Sequence, residues 1–186
     1  LSAFPASILK ILEEHKVTFL FWVPTIMVNI ANMDLLSSIQ LPALKTVWFA
    51  GEVFPTKQFN YWRKMLPQTT FANLYGPIEI TLDCTCFIVN REIKDEESIP
   101  IGFPCRNTDI LILDADNKLV AEAGKEGELC VRGTSLAMGY YNNPEKTASA
   151  FVQNPLNHAY PETIYRTGDV VVINERGEIV FKGRKD

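Results

Sequence analysis

Val17-Thr18-Phe19-Leu20-Phe21-Trp22-Val23 runs directly into Pro24-Thr25-Ile26-Met27-Val28-Asn29-Ile30, and that join decides the fold class. The first half is rich in β-branched and aromatic residues and predicts a buried strand. Pro24 then presets the first turn of a helix. Working outward, the same alternation recurs. Pro5 opens a helical pattern with an apolar stripe of Ile8, Leu9, Ile11 and Leu12. Residues 46–50 predict a short strand that stops at Gly51. Pro55 opens a third helix carrying Phe59, Trp62, Arg63 and Leu66, and residues 69–74 return as a strand. Strands alternating with helices predict βαβ units on a mostly parallel sheet.

From about Ile99 the pattern changes. Residues 109–113 and 118–120 flank Asp114-Ala115-Asp116-Asn117, a hairpin-turn composition, and residues 128–132 lie between Gly127 and Gly133. A short helix is expected over residues 144–151. A last hairpin pairs residues 170–173 with 178–182 across Asn174-Glu175-Arg176-Gly177. Such spacing predicts a smaller antiparallel β subdomain, a sheet or distorted barrel. The expected organisation is therefore an α/β subdomain over 1–98, a β-rich subdomain over 99–182, and the start of a hinge at 183–186.

Composition narrows the function classes. With 186 residues, 47% of them apolar, and a formal charge of −4, the chain reads as an ordinary globular protein. Mild acidity argues against nucleic acid as the main partner. No apolar run reaches the roughly 18 residues of a membrane span, and Leu1-Ser2-Ala3-Phe4-Pro5 lacks the features of a signal peptide. Cys84, Cys86, Cys105 and Cys130 lack metal-site spacing and read as reduced, packed thiols of a cytoplasmic protein. Cys84 and Cys86, two apart in a strand-like run, are expected to share a face. His15 and His158 have no neighbours that suggest a catalytic pair.

Ligands of open α/β sheets bind beyond the carboxyl ends of the strands, and two loops stand there. One is Ala50-Gly51-Glu52-Val53-Phe54-Pro55, the other Asn73-Leu74-Tyr75-Gly76-Pro77-Ile78-Glu79. Gly51 and Gly76 would let the backbone turn tightly and approach a ligand. Tyr75 offers an aromatic face, and Glu79 a carboxylate suited to a hard cation. Taken alone, both loops also fit ordinary β-to-α turns. Tyr165-Arg166-Thr167-Gly168-Asp169 places an aspartate that can accept two hydrogen bonds from a ribose diol, or simply bond its own turn. In Gly183-Arg184-Lys185-Asp186, Arg184 suits a phosphate or ribose oxygen, or forms a solvated basic end. Gly127-Glu128-Leu129-Cys130-Val131-Arg132-Gly133 and Ala137-Met138-Gly139-Tyr140-Tyr141-Asn142 read as scaffold with an aromatic plug.

Taken in order, these segments resemble the adenylate-forming superfamily. That group includes amino-acid adenylation domains of non-ribosomal peptide synthetases, D-alanine–carrier-protein ligases and acyl-CoA synthetases. The family patterns N-x-Y-G-P-T-E, G-E-L-x-x-x-G with G-Y-x-N, Y-R-T-G-D and G-R-x-D match residues 73–79, 127–142, 165–169 and 183–186. The resemblance implies part of the large N-terminal domain of such an enzyme. It places Gly51 and Glu52 along an adenine, stacks Tyr75 on it with Gly76 beside it, and assigns magnesium to Glu79. It gives the ribose hydroxyls to Asp169, the ribose and phosphate region to Arg184, and the hinge to Asp186. An acyl pocket would include Trp48, Ala50, Leu74, Leu82 and Asp83.

The implied chemistry is activation of a carboxylate by ATP and Mg2+, then transfer to a carrier-protein phosphopantetheine thiol or to CoA. Tyrosine ahead of R-T-G-D is similar to amino-acid-activating members, and residues 49–55 are similar to D-alanine–carrier-protein ligases. Ile78 stands where the family has threonine, and an isoleucine cannot donate a hydrogen bond to a phosphate. The family's glycine-rich lysine loop and C-terminal lysine fall outside these motifs. The 186 residues are therefore expected to be a catalytically incomplete part of the enzyme, with an acyl-CoA synthetase, or a non-catalytic nucleotide-binding or interaction protein on the same fold, as the alternatives.

Overall fold

The computed structural model describes residues 5–185. They form two compact units: residues up to Leu74 together with Phe87–Ile99, and Tyr75–Cys86 together with residues from Pro100 onward. Asp186, expected as the hinge, lies outside the described residues.

The first unit follows the helix–strand alternation. It runs α1 (Pro5–Glu14), β1 (Phe19–Trp22), α2 (Pro24–Asn32), β2 (Thr46–Phe49), α3 (Thr56–Met65) and β3 (Thr70–Tyr75), with β4 (Thr85–Ile88) returning into it at Phe87. β1 and β2 pair in parallel from Phe19↔Thr46 to Trp22↔Phe49, and β2 and β3 from Thr46↔Thr70 to Phe49↔Asn73. Helical spacing explains which faces are buried: Leu9 and Leu12 on α1, Met27 and Ile30 on α2, Phe59 and Trp62 on α3. The core is aromatic. Phe49, Phe54, Phe59 and Phe71 meet at centroid distances of 5.1–5.6 Å, mostly edge to face. Trp62 is fully buried, and its indole N–H donates to the Met27 carbonyl at 2.9 Å. On β1 and β2 the alternation leaves Phe19, Phe21 and Trp48 on the exposed face, with Phe19 and Phe21 edge-on to Trp48.

The second unit is antiparallel. β5 (Phe103–Pro104) pairs with Thr85 and Cys86 of β4. β6 (Thr108–Leu113), β7 (Glu126–Gly133), β9 (Thr163–Ile173) and β10 (Ile179–Arg184) lie in the order β10-β9-β7-β6. Before β9 come α4 (Pro144–Ala150) and β8 (Phe151–Gln153), and β8 pairs with β9. Two turns are built by acceptor side chains. The Asp114 carboxylate accepts the Asp116 and Lys118 N–H groups, and the Asn174 side-chain oxygen those of Arg176 and Glu178.

Local differences from the sequence reading have physical causes. Residues 118–120 make no strand; they touch β6 through one Leu113↔Leu119 bridge and a Val120 N–H to Ile112 carbonyl bond of 2.8 Å. Cys84 lies just before β4 and is buried, while Cys86 within it is half-buried. β9 does not begin after Asp169 but runs through it. Along β7 the pairing steps two residues from Glu128 to Cys130, while β9 steps four, from Val170 to Arg166. Thr167-Gly168-Asp169 thus bulges out of a continuous strand. A second irregularity stands opposite, between Phe181 and Gly183 of β10.

Candidate functional site

The bulge in β9 organises the site, and all of the geometry described next lies in the second unit. β-Bulges re-aim side chains out of the regular ladder, and this one aims the Asp169 carboxylate at two donors. The Tyr75 hydroxyl donates to Oδ2, and an Arg184 guanidinium N–H donates to Oδ1 at 3.1 Å. The bulge is locked from within. The Thr167 hydroxyl donates to the Leu129 carbonyl at 2.7 Å, and the Asp169 N–H donates to the Thr167 hydroxyl oxygen at 3.0 Å. From β7, the buried Glu128 carboxylate accepts from Arg166 at 2.6 and 3.0 Å and from the Gly168 N–H at 3.2 Å. Burial raises the Glu128 carboxyl, but Arg166 and Lys185 outweigh it and hold that group below its ordinary value.

Asp169 is nearly buried, yet a carboxylate offers about four lone-pair sites, so two bonds leave capacity for further donors. Burial first, then donation to Asp169, pushes the Tyr75 phenol far up, which keeps it a donor. The ring of Tyr75 lies 6.4 Å from that of Phe181.

After Tyr75 the chain folds back on itself. The Cys84 N–H donates to the Tyr75 carbonyl at 2.8 Å, closing residues 76–83 into a loop. A Cβ on Gly76 would stand 2.0 Å from the Leu82 carbonyl oxygen and 2.7 Å from Asp83 Cα, so no larger residue fits. Gly76 is required by this loop closure, a reason other than close approach to a ligand. One turn of 3-10 helix, Ile78–Ile80, follows and carries Glu79. Its carboxylate accepts the Tyr140 hydroxyl at 2.7 Å, and its carbonyl accepts the Ala137 N–H at 2.7 Å. Burial raises the Glu79 carboxyl, but Tyr140, Tyr165 and Lys146 together bring it below its ordinary value. Thr81 and Leu82 both have positive φ (64° and 96°), a strained backbone held by the Thr81 hydroxyl on the Ser135 carbonyl at 2.8 Å. Ile78 is 87% exposed, so its side chain contributes little packing.

The structure thus joins Tyr75, Asp169 and Arg184 directly and sets Gly76 and Glu79 on the adjoining loop. In the first unit, Gly51 opens the bend after β2, and Glu52 has a structural partner. Its carboxylate accepts the Thr25 N–H at 2.8 Å and the Thr25 hydroxyl, capping α2. Among the expected acyl-pocket residues, Trp48 lies on the exposed face of β2, Ala50 is half-buried just beyond it, and Leu74 is buried. Leu82, in the second unit, is exposed, and burial raises the half-buried Asp83 carboxyl. A groove of about 750 Å3 in the first unit, lined by Asn60, Arg63, Phe71 and Lys94 among others, holds none of these residues. Tyr140, Tyr165 and Glu128 were read from sequence as scaffold or motif letters, and their contacts with the site come only from the fold.

The AMP-binding enzyme family model matches residues 1–141. The chain belongs to that family. It is 35% identical over 98% of its length to zwittermicin A synthase ZmaJ of Bacillus cereus, covering 35% of that protein. It is 33% identical over 94% of its length to the L-proline--[L-prolyl-carrier protein] ligase of Streptomyces coelicolor, covering 32% of it. The Vibrio cholerae adenylation domain AlmE, solved in complex with glycyl-adenosine-5'-phosphate, superposes with a TM-score of 0.85 and 28% identity, over 99% of this chain and 34% of that one. The chain therefore spans about a third of the length of these proteins. The expected membership of the adenylate-forming superfamily holds, as does the α/β fold with a curled antiparallel sheet. Among the described residues no helix is long and apolar enough to cross a membrane.

Proposed function

We propose that this chain carries the nucleotide-gripping part of an ATP-dependent ligase that activates an amino acid as its adenylate and passes it to a carrier-protein thiol. The observation that carries this reading is the Tyr75–Asp169–Arg184 contact, built by a bulge that a purely structural sheet does not need. Asp169 takes the ribose hydroxyls on its remaining lone pairs. Tyr75 presents its ring to the adenine. Arg184 donates toward ribose and phosphate. The amino-acid class draws on the likeness to the prolyl-carrier-protein ligase and to the glycyl-adenylate-bound domain. Within that class, the likeness of the Phe49–Pro55 stretch to D-alanine–carrier-protein ligases favours D-alanine, and a cytoplasmic location goes with this reading.

The donor set fits magnesium. Glu79 is a hard oxygen ligand held ionised, and no group of three or more His, Cys, Asp or Glu among the described residues could cage an ion by itself. Magnesium takes one or two carboxylates and completes its shell with phosphate oxygens and water. When bound, it neutralises and orients the phosphates of ATP. Glu79 would hold it there.

The 186 residues alone are expected not to adenylate, because the glycine-rich lysine loop is not among them. The test is substrate-dependent ATP–pyrophosphate exchange by the full-length protein across D-alanine, the L-amino acids and fatty acids. Exchange with one amino acid supports the reading, and exchange with D-alanine supports its finer form. Exchange with fatty acids alone would move the protein to the acyl-CoA synthetases. Silence from a folded protein would favour a non-catalytic nucleotide binder, in keeping with Ile78.

A further inference from the structure

The segment read from sequence as an aromatic plug is attached to the chemistry. The Tyr140 hydroxyl donates to Glu79 Oε1 at 2.7 Å and lies 3.4 Å from the Tyr165 hydroxyl. Tyr140 is itself held on every side. Its N–H donates to the Thr147 hydroxyl oxygen at 2.9 Å, and that hydroxyl donates to the Asn143 carbonyl at 2.8 Å. The Asn143 side chain caps α4 by accepting the Lys146 N–H at 3.0 Å. Lys146 Nζ stands 4.2 Å from the centre of the Tyr140 ring, and the Phe151 ring packs edge-on at 5.8 Å. Gly139, at φ +138°, lies so close to Thr147 that a Cβ would come within 2.5 Å of its methyl. Residues 139–147 thus form a small clamp that holds the Tyr140 hydroxyl against the Glu79 carboxylate.

We propose that Tyr140 is a positioning residue that fixes the rotamer of Glu79 and leaves one carboxylate oxygen for the cation that accompanies ATP. This rests on the assignment of Glu79 above. A carboxylate on a one-turn 3-10 segment has little backbone restraint of its own. A hydrogen bond to one oxygen removes the rotation that would otherwise be lost on binding the cation. Residues that orient a metal ligand in this way commonly alter metal affinity by about 10–100-fold when replaced.

The test compares the full-length protein with Tyr140→Phe, which keeps the Phe151 and Lys146 contacts, and with Glu79→Gln. Mn2+ affinity in the presence of ATP is read by electron paramagnetic resonance, and ATP affinity in EDTA by equilibrium dialysis. The expected result for Tyr140→Phe is Mn2+ binding weakened about tenfold, with cation-free ATP affinity and thermal midpoint unchanged. Thr147→Val, which loosens the clamp one bond further out, should move Mn2+ affinity the same way by less. Unchanged Mn2+ affinity in Tyr140→Phe with a large loss in Glu79→Gln overturns the role of Tyr140 and leaves Glu79 standing. Unchanged affinity in Glu79→Gln removes the metal assignment, and the positioning role falls with it.

Discussion

The two units bury different kinds of group. In the first, the centre is a cluster of phenylalanines and Trp62, and the indole N–H has a backbone partner. In the second, the buried residues include Glu128, Thr167 and Asp169, bonded around the bulge, and Glu178, which accepts from the Asn174 side chain. Burying a charge is tolerated only when it is paired and bonded. The aromatic unit therefore gains stability from packing. The second unit has an apolar cluster of its own, around Leu129, Val131 and Val171, and adds charged groups that each depend on a partner.

The largest effect should come from breaking the packed side. Trp62→Ala empties a fully buried site and removes the indole bond to the Met27 carbonyl, and should cost about 3–5 kcal/mol in urea unfolding. A loss below about 1 kcal/mol would mean that the aromatic cluster repacks and the contrast is overstated.

Glu128→Gln comes next. It removes the anion facing Arg166 in a buried but not sealed pair, and a loss of about 2–3 kcal/mol is expected. pH sharpens this case. The folded Glu128 carboxyl lies below its ordinary value, so its stabilising effect is present above that value and is lost as pH falls through the depressed one. Urea midpoints should hold from neutrality to about pH 5 and then fall, with a smaller fall in Glu128→Gln. Equal slopes in both proteins would assign the acid loss elsewhere.

Asp169→Ala should be mildest for the fold and specific for function. ATP affinity of the full-length protein should drop about tenfold or more, from the loss of charge-assisted bonds of about 1.5–3 kcal/mol. Unchanged affinity by calorimetry would remove Asp169 from the nucleotide.

How far the sequence disclosed this difference depended on range. The β1–α2 join was legible because strand and helix signals are local, and Pro24 marks the boundary between them. The strand through Tyr165-Arg166-Thr167-Gly168-Asp169 was not. Gly168 looks like punctuation, whereas here it sits inside a bulge that Glu128 braces from 40 positions away. Tyr140 passed for filler because its partner Glu79 lies 61 positions upstream, a separation that no periodicity encodes. β8, three residues long, is too short for any pattern to register. The motif resemblance picked out these segments, but it could not say that Gly76 is demanded by its own loop or that Glu52 caps α2.

The bulge in β9 has a consequence for anyone re-engineering this chain. β9 carries two residues more than β7 needs between the Glu128 and Cys130 pairings. Deleting two of Thr167, Gly168 and Asp169 would let the ladder close in perfect register, and automated stabilisation would be drawn to that edit. The product would be a tidier sheet with its carboxylate either deleted or taken out of the bulge that aims it. Irregularity at this point is what brings Asp169 to Tyr75 and Arg184, and any search that scores regularity alone would select against it.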